Sequence, residues 1–299
     1  MFRKLAALAL ALAMTGAAAH AAPQDRTAAN GDVKIHYVVE GKGPLVVMIH
    51  GFPDYWGTWK PLMAELNKAG YRTAALDLRG YNLSDKPKGV EAYALPNLVG
   101  DVAAVIAAEG QRDAIVIGHD WGAAIAWRVA FNQPELVNRL VIMSVPHPAG
   151  MARELATNKA QQEGSNYARI FQQEGSEKNL NAEALAAWVK DPAKKADQIE
   201  ALKRSDFGAM MNYYRANYPR GTTDAASALP PGPQRVKVPV LVIHGMKDTA
   251  LNAAGHSGTW DHVDADTTIV MAPAAGHFVQ HDAEALVNRT VRDWLNARR

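Results

Sequence analysis

Short hydrophobic runs alternate along this chain with segments of helical period. Seven runs rich in aliphatic and β-branched residues predict strands: Val33–Val39, Leu45–Ile49, Arg72–Leu76, Ala114–Gly118, Arg139–Ser144, Val240–His244 and Thr268–Met271. Most are apolar throughout, as expected of strands buried on both faces. Helical periods predict helices at Trp59–Ala69, Leu95–Ala108, Gly122–Asn132 and Ala283–Ala297. The alternation predicts an α/β fold with a mostly parallel, doubly wound sheet.

The alternation stops between about Pro146 and Pro239. This stretch has no convincing apolar strand, and its amphipathic segments fall near Asn181–Val189 and Ala196–Met211. We therefore expect a helical cap inserted between two strands, with a stiff return linker at Leu229–Pro233. Residues 22–145 and 239–299 would form the two parts of the core, and residues 146–238 the cap and linker.

The strongest chemical signal is the sequence G-H-D-W-G at Gly118–Gly122, between a predicted strand and a predicted helix. By itself it would also fit a Gly-rich turn with a helix-capping Asp. In this context it predicts a nucleophile elbow that exposes Asp120. An Asp that attacks a saturated carbon forms an ester that water can cleave, whereas a Ser would form a stable ether. Asp120 therefore favours alkyl transfer from epoxides, alkyl halides or haloacids.

Three further pieces follow strands in the order that such a hydrolase needs. His50–Pro53 (H-G-F-P) follows a strand and predicts an oxyanion hole made by the backbone N–H groups of Phe52 and Trp121. Asp248 and His277 come later in the chain, in the order nucleophile, acid, base. We expect His277 to be the general base and Asp248 to fix its tautomer.

With these residues in view, the chain resembles the epoxide hydrolases of the α/β-hydrolase superfamily. The likeness covers nearly all of residues 22–299 and also includes Asp77–Tyr81 and Pro146–Pro148. It implies a cis Phe52–Pro53 bond, an isomer that Pro makes accessible. It also implies that His50, Pro53 and Trp121 line the substrate site.

The resemblance further implies two cap tyrosines that hydrogen-bond the epoxide oxygen. Tyr214 and Tyr167 lie in the matching segments, and Tyr213 and Tyr218 are rival candidates. A phenol stays protonated at neutral pH and can donate to the oxygen as charge develops on it. The expected reaction is hydrolysis of a small-molecule epoxide to a vicinal diol, through an ester on Asp120 that His277-activated water releases.

Two alternatives remain open on the sequence. A dehalogenase of the same fold would share Asp120, His277 and the acid, but it needs N–H donors around the halide. Phe52 has no side-chain donor, Trp188 is expected to pack in the cap, and haloacid-type relatives carry an Arg where this chain has Trp121. A non-catalytic binding protein of this fold would normally show a broken triad, and this triad is intact.

Composition changes the picture only at the N-terminus. Arg3 and Lys4 precede an apolar run at Leu5–Met14 and the small-x-small site Ala19–Ala21, which predicts a cleavable signal peptide at residues 1–21 and a periplasmic or secreted protein. The net charge of +2 is that of the two leader cations, so neither nucleic acid nor a membrane surface is an expected partner. The chain has no cysteine, and its histidines are not spaced as metal ligands in an H-E-x-x-H or comparable motif. We therefore expect no metal and no cofactor.

Overall fold

The structure is a computed structural model that describes residues 22–220 and 234–299. The predicted signal peptide and return linker lie outside the described residues. Within the described part of the chain, no helix is both long enough and apolar enough to cross a membrane.

An eight-stranded sheet forms the centre of the molecule. Its strands are β1 (Gln24–Asn30), β2 (Val33–Gly41), β3 (Leu45–Ile49), β4 (Arg72–Leu76), β5 (Ala114–His119), β6 (Val137–Met143), β7 (Val240–Gly245) and β8 (Thr267–Ala272). The spatial order is β1-β2-β4-β3-β5-β6-β7-β8. Strand β2 runs antiparallel to both of its neighbours, β1 and β4, and all other neighbouring strands are parallel. All seven predicted strands are present, which confirms the predicted fold class. The strand that sequence patterning missed is β1, whose residues are mostly polar because it lies at an edge of the sheet.

Eleven α-helices are found among the described residues. They are α1 (Lys60–Lys68), α2 (Leu95–Ala108), α3 (Trp121–Asn132), α4 (Pro148–Thr157), α5 (Lys159–Gly164), α6 (Asn166–Phe171), α7 (Ala182–Leu185), α8 (Pro192–Lys203), α9 (Phe207–Asn217), α10 (Val279–Asp282) and α11 (Glu284–Asn296). The sheet lies between two hydrophobic layers because alternate side chains of each strand point to opposite faces. In β3, Val47 and Ile49 pack on one face and Val46 and Met48 on the other.

Six helices, α4 to α9, lie between β6 and β7 in the chain. The amphipathic segment predicted at Ala196–Met211 is divided between two helices. The first, α8, ends at Lys203, and Asp206 caps α9 by accepting a hydrogen bond from the Ala209 amide at 2.9 Å. Contacts with the core hold these helices over the sheet. The Tyr213 hydroxyl, for example, donates to the Arg79 carbonyl at 2.8 Å.

Candidate active site

Asp120 occupies the sharp turn between β5 and α3. Its backbone has φ 52° and ψ −124°, a conformation that costs a non-glycine residue about 1–3 kcal/mol and persists only where the surroundings enforce it. The turn is so tight that the glycines around it have no room for a side chain. A Cβ at Gly122 would lie 2.0 Å from the Ile49 carbonyl oxygen, and one at Gly51 would lie 2.3 Å from the Asp120 Cβ.

The loop after β3 supplies the first contact to the Asp120 carboxylate. The Phe52 backbone N–H donates to Asp120 Oδ1 at 2.7 Å. The Phe52–Pro53 bond is cis, as the resemblance to epoxide hydrolases implied. The backbone N–H of Trp121 belongs to the first turn of α3, where N–H groups have no intrahelical partner. The structure thus brings both predicted oxyanion-hole residues to the nucleophile.

His277 joins the two carboxylates that the sequence singled out. Its Nε2 lies 3.3 Å from Asp120 Oδ2, and its Nδ1 donates to Asp248 Oδ2 at 2.8 Å. Asp248 is in turn held by the backbone N–H groups of Ala250 and Leu251, which donate to Oδ1 at 2.8 and 2.9 Å. The three residues come from separate loops at the carboxyl ends of β5, β7 and β8, the edge where α/β folds form their sites.

The electrostatics of this group favour two carboxylates around one imidazolium. Burial opposes charge on Asp120, yet its hydrogen bond with His277 and the charge of that residue lower the pKa of the carboxyl below its ordinary value. Burial likewise disfavours charge on His277, but the hydrogen bonds to Asp120 and Asp248 outweigh it and raise the pKa of the imidazole to about 10. The hydrogen bond with His277 and the charge of that residue also lower the pKa of Asp248, although burial opposes this.

Tyr167 and Tyr214 stand together above the carboxylate. Their ring centroids are 6.1 Å apart, and the Tyr214 ring lies edge-on to Trp121 at 5.2 Å. Burial raises the pKa of both phenols well above 10, so both stay protonated. Among the described residues, the buried Tyr214 hydroxyl has no hydrogen-bond partner at normal distance. Tyr213 is eliminated as a rival because its hydroxyl is bound to Arg79, whereas Tyr218 does line the same cavity.

A cavity of about 140 Å³ opens over Asp120, and Tyr167 and Tyr214 lie in its wall. It runs along α3, where Trp121, Ala124 and Arg128 have the i, i+3, i+7 spacing of one helix face. The rest of its lining is mainly apolar and aromatic: Leu95, Trp127, Val145, Pro146, Pro148, Met151, Ala152, Leu155, Tyr218, Pro219 and Leu251, with Asn217. Asp120 therefore faces a space suited to an apolar ligand.

Two predicted substrate contacts are corrected by the structure. His50 is fully buried, with Nδ1 donating to the Gly51 carbonyl at 2.8 Å and Nε2 accepting from the Leu78 amide at 3.0 Å. Neither His50 nor Pro53 lines the cavity, so their contribution is to shape the loop that carries Phe52. Trp121, the third predicted contact, does line it.

Two residues that contact the backbone of His277 were missed in the sequence analysis. The Ser144 hydroxyl and His119 Nε2 both contact the His277 backbone carbonyl oxygen, at 2.7 and 2.8 Å. His119 stood inside the elbow motif and Ser144 at a predicted strand end, but no spacing rule connects either with residue 277. In the described ranges, no three His, Cys, Asp or Glu side chains form a group that could hold a metal ion.

Comparisons with known proteins identify the family of the chain. The family described as alpha/beta hydrolase fold matches residues 44–284, and the chain belongs to that family. The chain is 34% identical over 278 residues to the AB hydrolase superfamily protein YfhM of Bacillus subtilis, covering 88% of this chain and 94% of that one. It is 30% identical to epoxide hydrolase 1 of Caenorhabditis elegans, covering 88% and 68%.

Solved structures give the same result at the level of the fold. An epoxide hydrolase from Bacillus megaterium superposes with a TM-score of 0.84 and 32% identity, covering 91% of this chain and 100% of that one. A variant of that enzyme was solved with its product, a naphthyloxy-propanediol.

Proposed function

We propose that this protein hydrolyses an epoxide to a vicinal diol through a covalent ester on Asp120. The observation that carries the proposal is a buried carboxylate at a nucleophile elbow, in contact with His277 and facing an apolar cavity whose wall holds two protonated phenols. Relatives named as epoxide hydrolases, at 30–32% identity over most of the chain, support the same reaction.

In the first step, Asp120 attacks one ring carbon of the epoxide. The C–O bond of the ring breaks, and its electron pair stays on the ring oxygen, which takes a proton from a hydroxyl of Tyr167 or Tyr214. Both phenols have pKa values raised by burial, so at neutral pH they act as hydrogen-bond donors that are present before charge develops. The proton that the phenol loses is replaced by one from His277. His277 releases it because esterification removes the negative charge of Asp120.

Esterification changes the charge state of His277. In the free protein two carboxylates hold the pKa of His277 at about 10, so the imidazole is charged. Once Asp120 becomes a neutral ester, the attraction from that side disappears and the pKa of His277 falls. The imidazole then gives up its proton, which balances the proton taken by the ring oxygen, and becomes a base.

In the second step, the neutral His277 removes a proton from water, and the resulting hydroxide attacks the ester carbonyl. Asp248 keeps the Nδ1 proton in place, which leaves Nε2 to act as the base. The N–H groups of Phe52 and Trp121 are the proposed donors to the oxyanion that forms. Collapse of this intermediate expels the diol and restores the ionised Asp120 beside a charged His277.

The cavity favours epoxides with an apolar substituent of moderate size. The lining beyond Asp120 and the two tyrosines is mainly aliphatic and aromatic. An aryl glycidyl ether is a reasonable probe, because the solved neighbour from Bacillus megaterium carries the diol of such a compound. Halide release is less well supported, since Trp188 stacks on Phe278 at 3.6 Å and does not line the cavity.

The test uses His277→Gln with a phenyl glycidyl ether. The variant should keep step one and lose step two, so intact-mass spectrometry should find a stoichiometric adduct, located on the peptide that contains Asp120. The matched control is Asp120→Ala in the same background, which should carry no adduct. Diol formation by the parent protein without any adduct on the variant would contradict the proposal.

A further inference from the structure

The backbone carbonyl of His277 receives two side-chain contacts. The Ser144 hydroxyl donates to this oxygen at 2.7 Å, and His119 Nε2 lies 2.8 Å from it. A carbonyl oxygen has two lone pairs, so the two donors saturate it. Both donors come from the ends of the central strands β5 and β6, while His277 sits on an irregular segment between β8 and α10. A loop residue is thereby anchored to the rigid part of the sheet.

We propose that Ser144 and His119 are positioning residues that hold the His277 imidazole in line with water during ester hydrolysis. We call this pair the carbonyl clamp. The inference rests on the proposed function, and it adds two residues that act on the reaction through another residue. A general base must stay within hydrogen-bond reach of the proton it abstracts, and a group on a loop keeps that position only when its supports are fixed.

The His119 ring is in the right protonation state to serve the clamp. Burial, with the nearby charge of His277, lowers the pKa of His119 to about 4, so its ring is neutral at working pH. Because its partner is a carbonyl oxygen, the single proton must be on Nε2. Nδ1 is then a bare acceptor, and it has no partner among the described residues. A neutral ring 4.9 Å from the His277 ring also avoids repulsion between two imidazolium ions.

Ser144 is held in an uncommon conformation that aims its hydroxyl. Its φ is +69°, although it is not glycine, and its amide donates to the Ile243 carbonyl at 3.0 Å. Its own carbonyl oxygen contacts His244 Nδ1 at 3.1 Å, and His256 Nε2 lies 3.0 Å from the same nitrogen. Positive φ at a polar residue is retained where surrounding contacts enforce it. Here those contacts place the hydroxyl against the His277 carbonyl.

The two steps of the reaction depend on the clamp to different degrees. Attack by Asp120 needs its own carboxylate and the two tyrosines, whereas the hydrogen bonds of the clamp go to the His277 carbonyl. Hydrolysis needs His277 at a fixed distance from water and from the ester. Loss of the clamp should therefore slow hydrolysis of the ester and leave alkylation of Asp120 close to the parent rate.

The kinetic test compares Ser144→Ala and His119→Leu with a matched control. The control is Ser84→Ala, which removes another buried serine hydroxyl that donates to a backbone carbonyl, that of Asp77 at 2.7 Å, away from the site. Rapid-quench measurements with an aryl glycidyl ether should show hydrolysis slowed about tenfold in each clamp variant, the effect of one lost hydrogen bond, with ester accumulating. His119→Gln, whose amide can donate in place of Nε2, should restore most of the rate.

The proposal fails if ester hydrolysis in both clamp variants matches that of Ser84→Ala. Should Ser144→Ala not fold, Ser144→Gly replaces it, because glycine accepts a φ of +69° without strain.

A second readout does not depend on turnover. NMR of histidine-labelled protein reports on the His277 ring, whose ionisable neighbours are Asp120, Asp248, His119 and His244. Clamp variants should shift or broaden the His277 ring resonances, and Ser84→Ala should not. Unchanged resonances in Ser144→Ala and His119→Leu would overturn the clamp. If the parent forms no ester on Asp120 while the resonances do respond, the clamp stands and the proposed reaction is what fails.

Discussion

Replacing Asp120 by Asn should lower the pKa of His277 strongly, because it removes one of the two carboxylates that hold the proton. The change mimics the charge of the esterified state, since an amide, like an ester, is neutral. The prediction therefore tests whether forming the intermediate is what turns His277 from an imidazolium into a base.

The magnitude follows from the 3.3 Å separation between His277 Nε2 and Asp120 Oδ2. Two unit charges at that distance attract by ~5 kcal/mol at an effective dielectric constant of about 20. This free energy corresponds to a pKa decrease of about 3 to 4. Starting from a pKa of about 10, His277 would return to the range of an ordinary imidazole.

The assay is an NMR pH titration of the labelled imidazoles, with the His277 signals assigned through His277→Gln. Asp25→Asn is the matched control, because Asp25 contacts another histidine, His36, at 2.9 Å. The control should leave the His277 titration unchanged. An Asp120→Asn protein in which His277 still titrates near pH 10 would refute the reasoning and assign the raised pKa to Asp248 alone.

The same pair makes a prediction about stability. The folded-state pKa of His277 is raised above its ordinary 6.5, so the contribution of its charged form to the free energy of unfolding is full below about pH 6.5 and is lost as the pH rises through about 10. Thermal unfolding of the parent and Asp120→Asn should therefore differ most near pH 6 and converge by pH 10. Curves separated equally at both pH values would contradict this.

Three further changes test separate parts of the site. Tyr214→Phe should slow alkylation by about 10–100-fold, as loss of a hydrogen bond to developing charge does, whereas Tyr213→Phe should leave that rate unchanged and only lower stability; single-turnover kinetics distinguish them. Gly51→Ala should place a methyl group against the Asp120 side chain, reducing stability by about 1–3 kcal/mol and abolishing the mass adduct, as chemical denaturation and mass spectrometry would report. Asp248→Asn should lower turnover by about 10⁴, as the same change does in the Ser-His-Asp triad of serine proteases. A steady-state rate within tenfold of the parent would exclude that role.

Much of the fold was predictable because its signals are local. Strands buried on both faces read as continuous apolar runs, and the elbow has a short motif between a strand and a helix. The polar strand β1 was missed because it is held by pairing with β2, while Ala28 is the one residue of this strand that is buried in the core. The division of Ala196–Met211 was missed because Asp206 caps α9 within an otherwise helical pattern.

The residues of the site also divide into those that local sequence signals predict and those that they do not. Asp120, Asp248 and His277 follow strand ends in a recognisable order, so their convergence could be expected before any coordinates. His50 was misassigned because a motif does not reveal which way a side chain points. Both nitrogens of its ring form hydrogen bonds with backbone groups. Ser144 was missed because its contact with His277 spans 133 residues and depends on a backbone conformation that the sequence does not encode locally.

The central claim, that the carboxylate of Asp120 and not water attacks the epoxide, is tested most directly by one turnover in heavy-oxygen water with the protein in excess over substrate. The account predicts a diol without heavy oxygen, because its new hydroxyl comes from Asp120, and one heavy oxygen in the Asp120 carboxylate, measured by mass spectrometry of both product and peptide. A labelled diol from that first turnover, with Asp120 unlabelled, would contradict it.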